Sequence, residues 1–114
     1  MKKELSEKQS EDLIELGLSP ELASNSYRYD CGFIKIAPGE EYECWSETDI
    51  FSIDDLIDIF PKEINGNLFE MGVSKVEDSY LWFCGYQNVK IERCVELSDA
   101  IYYLTKWLLT NKHI

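Results

Sequence analysis

The alternation of apolar and polar residues predicts strands in the second half of the chain. Residues 79–86 (SYLWFCGY) are apolar or aromatic at most positions of both parities, which is typical of a strand covered on both faces. Segments 68–76 and 89–95 alternate with period two on either side of it. The simplest arrangement is three consecutive antiparallel strands with the aromatic strand in the middle. Before them, residues 32–37 and 42–45 flank a Pro-Gly pair and predict a hairpin.

Helices are predicted where apolar residues recur with helical spacing behind a capping serine. The predicted caps are Ser6, Ser19, Ser52 and Ser98. Ser6 is followed three residues later by Gln9, the signature of a capping box. Residues 53–60 place apolar side chains at i, i+3, i+4 and i+7, and Pro61 ends that helix.

These segments predict an α+β fold with an antiparallel sheet of three to five strands packed with helices, in the order αα-ββ-α-βββ-α. A chain of 114 residues has the size of one domain, so we expect a single domain over residues 1–114. No apolar run approaches 18 residues, and the N-terminal residues are polar and have no secretory core. We therefore expect a cytoplasmic protein that does not bind membranes.

The net charge of −11 is concentrated in one block. Residues 36–61 contain eight acidic residues and no basic residue, whereas the flanking regions are close to balanced. The eight acids are Glu40, Glu41, Glu43, Glu47, Asp49, Asp54, Asp55 and Asp58. Direct nucleic-acid binding is disfavoured, because contacts to phosphates require clustered Lys and Arg.

The acidic block is the main candidate for a functional surface, and its eight residues are the predicted partner-binding set. Asp54 and Asp58 lie one helical turn apart, a spacing at which like charges cost a few tenths of a kcal/mol. The block could bind a basic protein, hold a divalent cation, or imitate the phosphate backbone of DNA. It could also be a solvated face that keeps the protein soluble. The spacing does not match a calcium loop of the EF-hand type.

The sequence contains no signature of catalysis, of a metal site or of a cofactor site. Its one histidine, His113, is next to the C-terminus, and no two of its four cysteines have the close spacing of zinc ligands. Isolated glycines rule out a phosphate-binding loop. We therefore predict a protein that is not an enzyme and has neither cofactor nor metal. Cys84 is expected to be a reduced thiol in the core.

Several segments resemble a family of small phage, prophage and gut-bacterial mobile-element proteins, the phage α-β-α sandwich domain. The matching segments are 16–23 (LGLSPELA), 51–53 (FSI) with the apolar positions up to Pro61, 82–86 (WFCGY) and 97–100 (LSDA). The resemblance implies a helix–sheet–helix architecture and a phage or mobile-element setting. It implies no catalytic residue.

Three functions follow as expectations. The leading one is an accessory protein that acts through protein–protein contacts of its acidic surface. The second is inhibition of a host DNA-binding or defence enzyme by acidic mimicry of DNA, which requires the acids to form one continuous ridge. The third is a small-molecule-binding domain, which requires a concave pocket lined by Trp and Tyr of the aromatic sheet.

Overall fold

The computed structural model describes residues 3–35 and 41–114, of which 25–35 and 41–48 are described by their backbone. The helices of this part are α1 (Glu7–Glu15), α2 (Ile53–Ile59) and α3 (Leu97–Thr110), with a 3-10 turn at Pro20–Leu22. The strands are β1 (Asn25–Lys35), β2 (Glu41–Ile50), β3 (Glu63–Ile64), β4 (Asn67–Val76), β5 (Ser79–Tyr86) and β6 (Lys90–Cys94). The predicted α+β class is confirmed, and the two-residue strand β3 is an addition to the predicted order.

The strands form a four-stranded antiparallel sheet and a separate two-stranded ribbon. The sheet has the order β3-β4-β5-β6, so the aromatic strand β5 has β4 and β6 as its neighbours, as predicted. The ribbon pairs β1 with β2, and its register shifts between Asp30 and Gly32. The turn predicted between these two strands, at Pro38-Gly39, lies outside the described residues.

Two of the predicted helix caps form complete capping boxes. The Ser6 hydroxyl accepts from the Gln9 N–H, and the Gln9 side chain accepts from the Ser6 N–H. Ser52 and Asp55 make the same reciprocal pair at the start of α2. The predicted cap at Ser98 is wrong. Helix α3 already begins at Leu97, the residue before Ser98, and Ser98 is buried inside its first turn. The cap position of α3 is Glu96, whose side chain makes no capping bond.

The helices lie on one face of the sheet. Cys84 and Tyr86 of β5 are fully buried in a cluster with apolar residues of all three helices. The register places Leu81, Phe83 and Ile91 on the opposite face, where they are half-buried. The expectation of a strand covered on both faces is therefore wrong, and the described part has two layers instead of the three that the resemblance implies.

Burial along β5 also changes from one end to the other. Its first residues extend beyond the helix layer, and Tyr80 is 66% exposed. Its last residues lie under α3, and the Tyr86 hydroxyl donates to the Pro61 carbonyl at 2.5 Å. This hydrogen bond joins the buried end of β5 to the segment that follows α2 and so fixes the position of α2 beside the sheet.

Candidate protein-binding surface

Helix α2 carries the acidic residues whose side chains are best defined. Asp54 and Asp58 are exposed and lie one turn apart on the helix. Neither makes an ion pair or a hydrogen bond within the described part of the chain. Two unpaired carboxylates on one short helix attract cations and basic side chains.

Asp55 has a structural role although it belongs to the same helix. Its carboxylate accepts from the Ser52 N–H and the Ser24 N–H, each at 2.9 Å, and from the Ser24 hydroxyl. Partial burial by itself would raise the pKa of Asp55, but these hydrogen bonds outweigh it and hold the pKa below its usual value. Asp55 therefore caps α2 and ties it to residue 24, and its oxygen atoms are already occupied.

The remaining acids lie in or before β2. Asp49 is exposed at the end of that strand. In the ladder, Glu41 is the register partner of Lys35 and Glu47 is the partner of Arg28. The pairing thus places a basic residue of β1 opposite each of these two acids, although the block 36–61 itself contains no basic residue. Glu43 is opposite Phe33 in the same ladder, and Glu40 lies outside the described residues.

The structure therefore brings together Asp54 and Asp58 and separates Asp55 from them by its hydrogen bonds. Sequence spacing placed the first two on one helical turn, but it gave no sign of the Ser24 contact, which joins residues 31 positions apart. The continuous ridge of eight acids that DNA mimicry requires is interrupted at Asp55.

Two shallow clefts lie between α2 and β4, and each contains one of the exposed acids. The larger, of about 410 Å³, is lined by Ile57, Asp58, Phe60, Pro61, Lys62, Leu68 and Phe69. The smaller, of about 230 Å³, is lined by Lys3, Ile53, Asp54, Met71 and Leu97. Each has apolar walls, one acid and one lysine, so the acid can meet the basic end of a side chain whose apolar stem lies along the walls.

A third cleft, of about 290 Å³, lies between α1 and α3 and includes the tyrosine pair Tyr102 and Tyr103. The Tyr102 hydroxyl donates to the Asp12 carboxylate, which lies 3.6 Å from the Lys106 ammonium group. Tyr103 is 49% exposed, so these two neighbours do not both face the core. None of these three clefts contains a tryptophan, so they do not provide the Trp- and Tyr-lined pocket that the small-molecule hypothesis requires.

Cys84 and Cys94 are free thiols in or near the core. Cys84 is fully buried, as predicted, and burial first, then the nearby Glu92 and Cys94, raises its pKa to about 12. A thiol of this kind is almost entirely protonated at neutral pH and is a poor nucleophile. In the described ranges, no group of three or more His, Cys, Asp and Glu residues could hold a metal ion.

Comparisons with known proteins identified no relatives. No family model, no curated protein and no solved structure matches the chain. Within residues 3–35 and 41–114, no helix has the length and apolar character needed to span a membrane. Functional inference thus depends on the geometry of the surface itself.

Proposed function

We propose that this protein is a non-enzymatic binding module that contacts a basic protein partner through the exposed acids of α2. The observation that carries the proposal is the pair Asp54 and Asp58, exposed one turn apart and unpaired within the described residues. Repulsion between them costs a few tenths of a kcal/mol in the isolated protein, and a cation between them removes that cost.

The surroundings of the pair favour a protein partner over a simple ion. Each acid stands at the edge of a cleft with apolar walls, so a lysine or arginine could bury its stem while its charge meets the carboxylate. Protein interfaces combine apolar contacts with charged groups at the rim in this way. Acidic mimicry of DNA is less well supported because Asp55 faces Ser24 and Ser52.

The test is capture of partners from the cell that makes the protein, with the double variant Asp54→Asn and Asp58→Asn. Each exposed charge pair contributes about 0.2–1 kcal/mol, so the double variant should weaken binding by roughly two- to thirty-fold. Binding of the unaltered protein should also weaken as salt is raised from about 0.05 to 0.5 M, because exposed charges are screened.

A matched control removes the same charge elsewhere. Glu15 and Glu21 are exposed acids on α1 and on the 3-10 turn, and the variant Glu15→Gln with Glu21→Gln changes the net charge equally. It should retain the partners that the α2 variant loses. Equal loss from both variants would indicate a general effect of net charge and would contradict a specific site on α2.

A further inference from the structure

Among the residues that the structure describes, strand β4 has no pairing partner along most of its outer edge. Strand β3 covers only Asn67 and Leu68. On the other side β4 pairs with β5 through a tight turn at Glu77–Asp78, in which Val76 faces Ser79. The pair that closes a two-residue turn is hydrogen-bonded, and bonded and non-bonded pairs then alternate along the ladder.

This alternation determines which backbone groups point away from the sheet. Even-numbered residues of β4 bond to β5, so the N–H and C=O groups of the odd-numbered residues point outward. The hydrogen bond from the Phe69 N–H to the Lys62 carbonyl, 2.9 Å long, confirms that direction. Beyond it, Met71, Val73 and Lys75 have no backbone partner among the described residues.

The side chains along this edge are unusually apolar for an exposed strand. Met71 is 48% exposed and Val73 is 51% exposed, and no charged residue lies between Glu70 and Lys75. The opposite edge of the sheet is β6, which has five residues and includes Lys90, Glu92 and Arg93. Short, charged edge strands resist pairing with other chains, whereas long apolar ones invite it. Of the two edges of this sheet, the β4 edge is the long and apolar one.

We propose that β4 receives an extended segment of the partner protein as an added strand, with apolar side chains alternating with basic ones. This inference rests on the proposed function and specifies its binding mode. Main-chain hydrogen bonds to Met71, Val73 and Lys75 supply the pairing. Met71 and Val73 lie on the same face of the sheet as α2, so the basic side chains of the segment lie along them with their apolar stems and reach Asp54. The apolar side chains of the segment lie on the opposite face, beside Gly72 and the ring of Phe83.

Charge favours such a segment over a second copy of this chain. Two copies bring together two chains that each carry a net charge of −11, and these repel each other. In antiparallel self-pairing of β4, residues opposite each other share a face and so have the same parity. Lys75 could therefore meet Met71 or Val73 of the other copy but never Glu70, and no opposite-charge pair forms.

The test uses a capped octapeptide that alternates lysine and valine, and measures amide hydrogen exchange of the protein by NMR. In the free protein the amides of Met71, Val73 and Lys75 should exchange rapidly, and those of Gly72 and Ser74 slowly. At saturating peptide the odd-numbered amides should slow by at least about tenfold, because an added strand bonds them alone. Binding without this alternating protection would overturn strand addition.

Two variants of one position separate backbone pairing from side-chain contact. Val73→Pro removes the outward N–H and leaves the β4–β5 bonds in place, since an edge strand tolerates proline there. Val73→Thr keeps the N–H and the branched shape. The proline variant should bind the peptide on the order of tenfold more weakly than the threonine variant. Equal affinities would overturn the proposal.

Further outcomes distinguish this inference from the function on which it rests. The peptide could bind and lose affinity for the variant Asp54→Asn with Asp58→Asn, yet protect no β4 amide. Strand addition would then be wrong, and binding through the acids of α2 would be retained. If an octapeptide alternating glutamate and valine protects the same amides equally well, the basic partner is wrong and strand addition stands. Protection that appears at high protein concentration without peptide would make a second copy the occupant and overturn the segment proposed here.

Discussion

Gly85 determines how closely β5 and β6 can approach. A Cβ atom at this position would lie 2.1 Å from the Lys90 carbonyl oxygen and 2.8 Å from the Ile91 Cα atom. The backbone φ angle of Gly85 is +148°. Both obstacles are backbone atoms of the paired strand, so neither can move without opening the ladder. Glycine weakens the interior of a strand, so strand preferences do not explain it here; this close approach supplies the reason.

We expect Gly85→Ala to lower the free energy of unfolding by about 2–4 kcal/mol, because it combines an unfavourable φ with a backbone clash. Gly66→Ala is the matched control: its φ is +82° and a Cβ there would meet nothing within 4 Å. The control should cost about 1–2 kcal/mol. Urea denaturation of both variants measures the difference, and equal losses would show that φ alone sets the cost.

A second prediction at the scale of single residues concerns Asp55 and the dependence of stability on pH. The folded-state pKa of Asp55 is lowered from the ordinary value of 3.8, so its contribution to stability is present above that value and is lost as the pH falls through the folded pKa. Asp55→Asn should cost about 1 kcal/mol at pH 7 through the weakened cap. The difference from the unaltered protein should shrink below pH 3.8. Thermal unfolding from pH 7 to 2 measures this difference, and Asp54→Asn, at an exposed neighbour without these bonds, is the control variant.

At the scale of elements, the pairing of α1 with α3 depends on polar contacts as well as apolar ones. Tyr102 donates to Asp12, and the Gln9 amide donates to Asp99 at 2.8 Å. The hydrogen bond to Asp12, with burial second, raises the pKa of Tyr102 to about 12. Because the folded pKa exceeds the unfolded value of about 10, this contribution is complete below pH 10 and is lost as the pH rises toward 12.

We expect Tyr102→Phe to lower the free energy of unfolding by about 1–2 kcal/mol at pH 7, the cost of one hydrogen bond to a charged group. Tyr103→Phe, on the adjacent half-exposed ring, should change it by less than about 0.5 kcal/mol. Alkaline denaturation between pH 9 and 12 completes the test. The unaltered protein should lose stability there by a component that the Tyr102 variant lacks, and identical alkaline profiles would contradict the assignment.

Elements specified by local chemistry could be predicted, and those decided by distant contacts could not. The caps at Ser6 and Ser52 depend on residues three positions away, which a sequence displays directly. The start of α3 depends on tertiary burial of Leu97 and Ser98, which overrides the expected serine cap. Similarly, the apolar pattern of β5 identified the strand but not that its first half extends beyond the helices, because apolar side chains also occur on exposed surfaces.

The candidate site follows the same division. Helical spacing alone placed Asp54 and Asp58 on one turn, whereas the role of Asp55 depends on Ser24, which lies in another part of the chain. The free edge of β4 follows from the predicted middle position of β5, but its extent depends on β3 being only two residues long. A two-residue strand has too little pattern to be predicted from a single sequence.

At the scale of the whole molecule, the chain is more extended than its length requires. Its radius of gyration is 18.2 Å, whereas a compact chain of this size has about 13 Å. Its longest dimension is 64 Å, and strands of the length of β1 and β2 reach roughly 35 Å. The described hydrophobic cluster draws its buried residues from 5–18, 51–64 and 84–108, which precede and follow the ribbon in the chain.

We expect the helix–sheet body to fold without most of the ribbon, because segments on either side of the ribbon already form a cluster of buried apolar residues. Ser26 and Asp49 are register partners, so a two-residue Asn-Gly turn can replace residues 27–48 and join them directly. The shortened protein should unfold cooperatively, with a Tm within a few degrees of the full chain, and should keep the binding that depends on Asp54 and Asp58. Phe51→Ala, at a fully buried core position, is the contrasting variant and should cost about 3–5 kcal/mol. Calorimetry compares the two proteins. If the shortened protein loses cooperative unfolding, or is destabilised as much as Phe51→Ala, the ribbon is part of the core. The acidic face of α2 then depends on the ribbon.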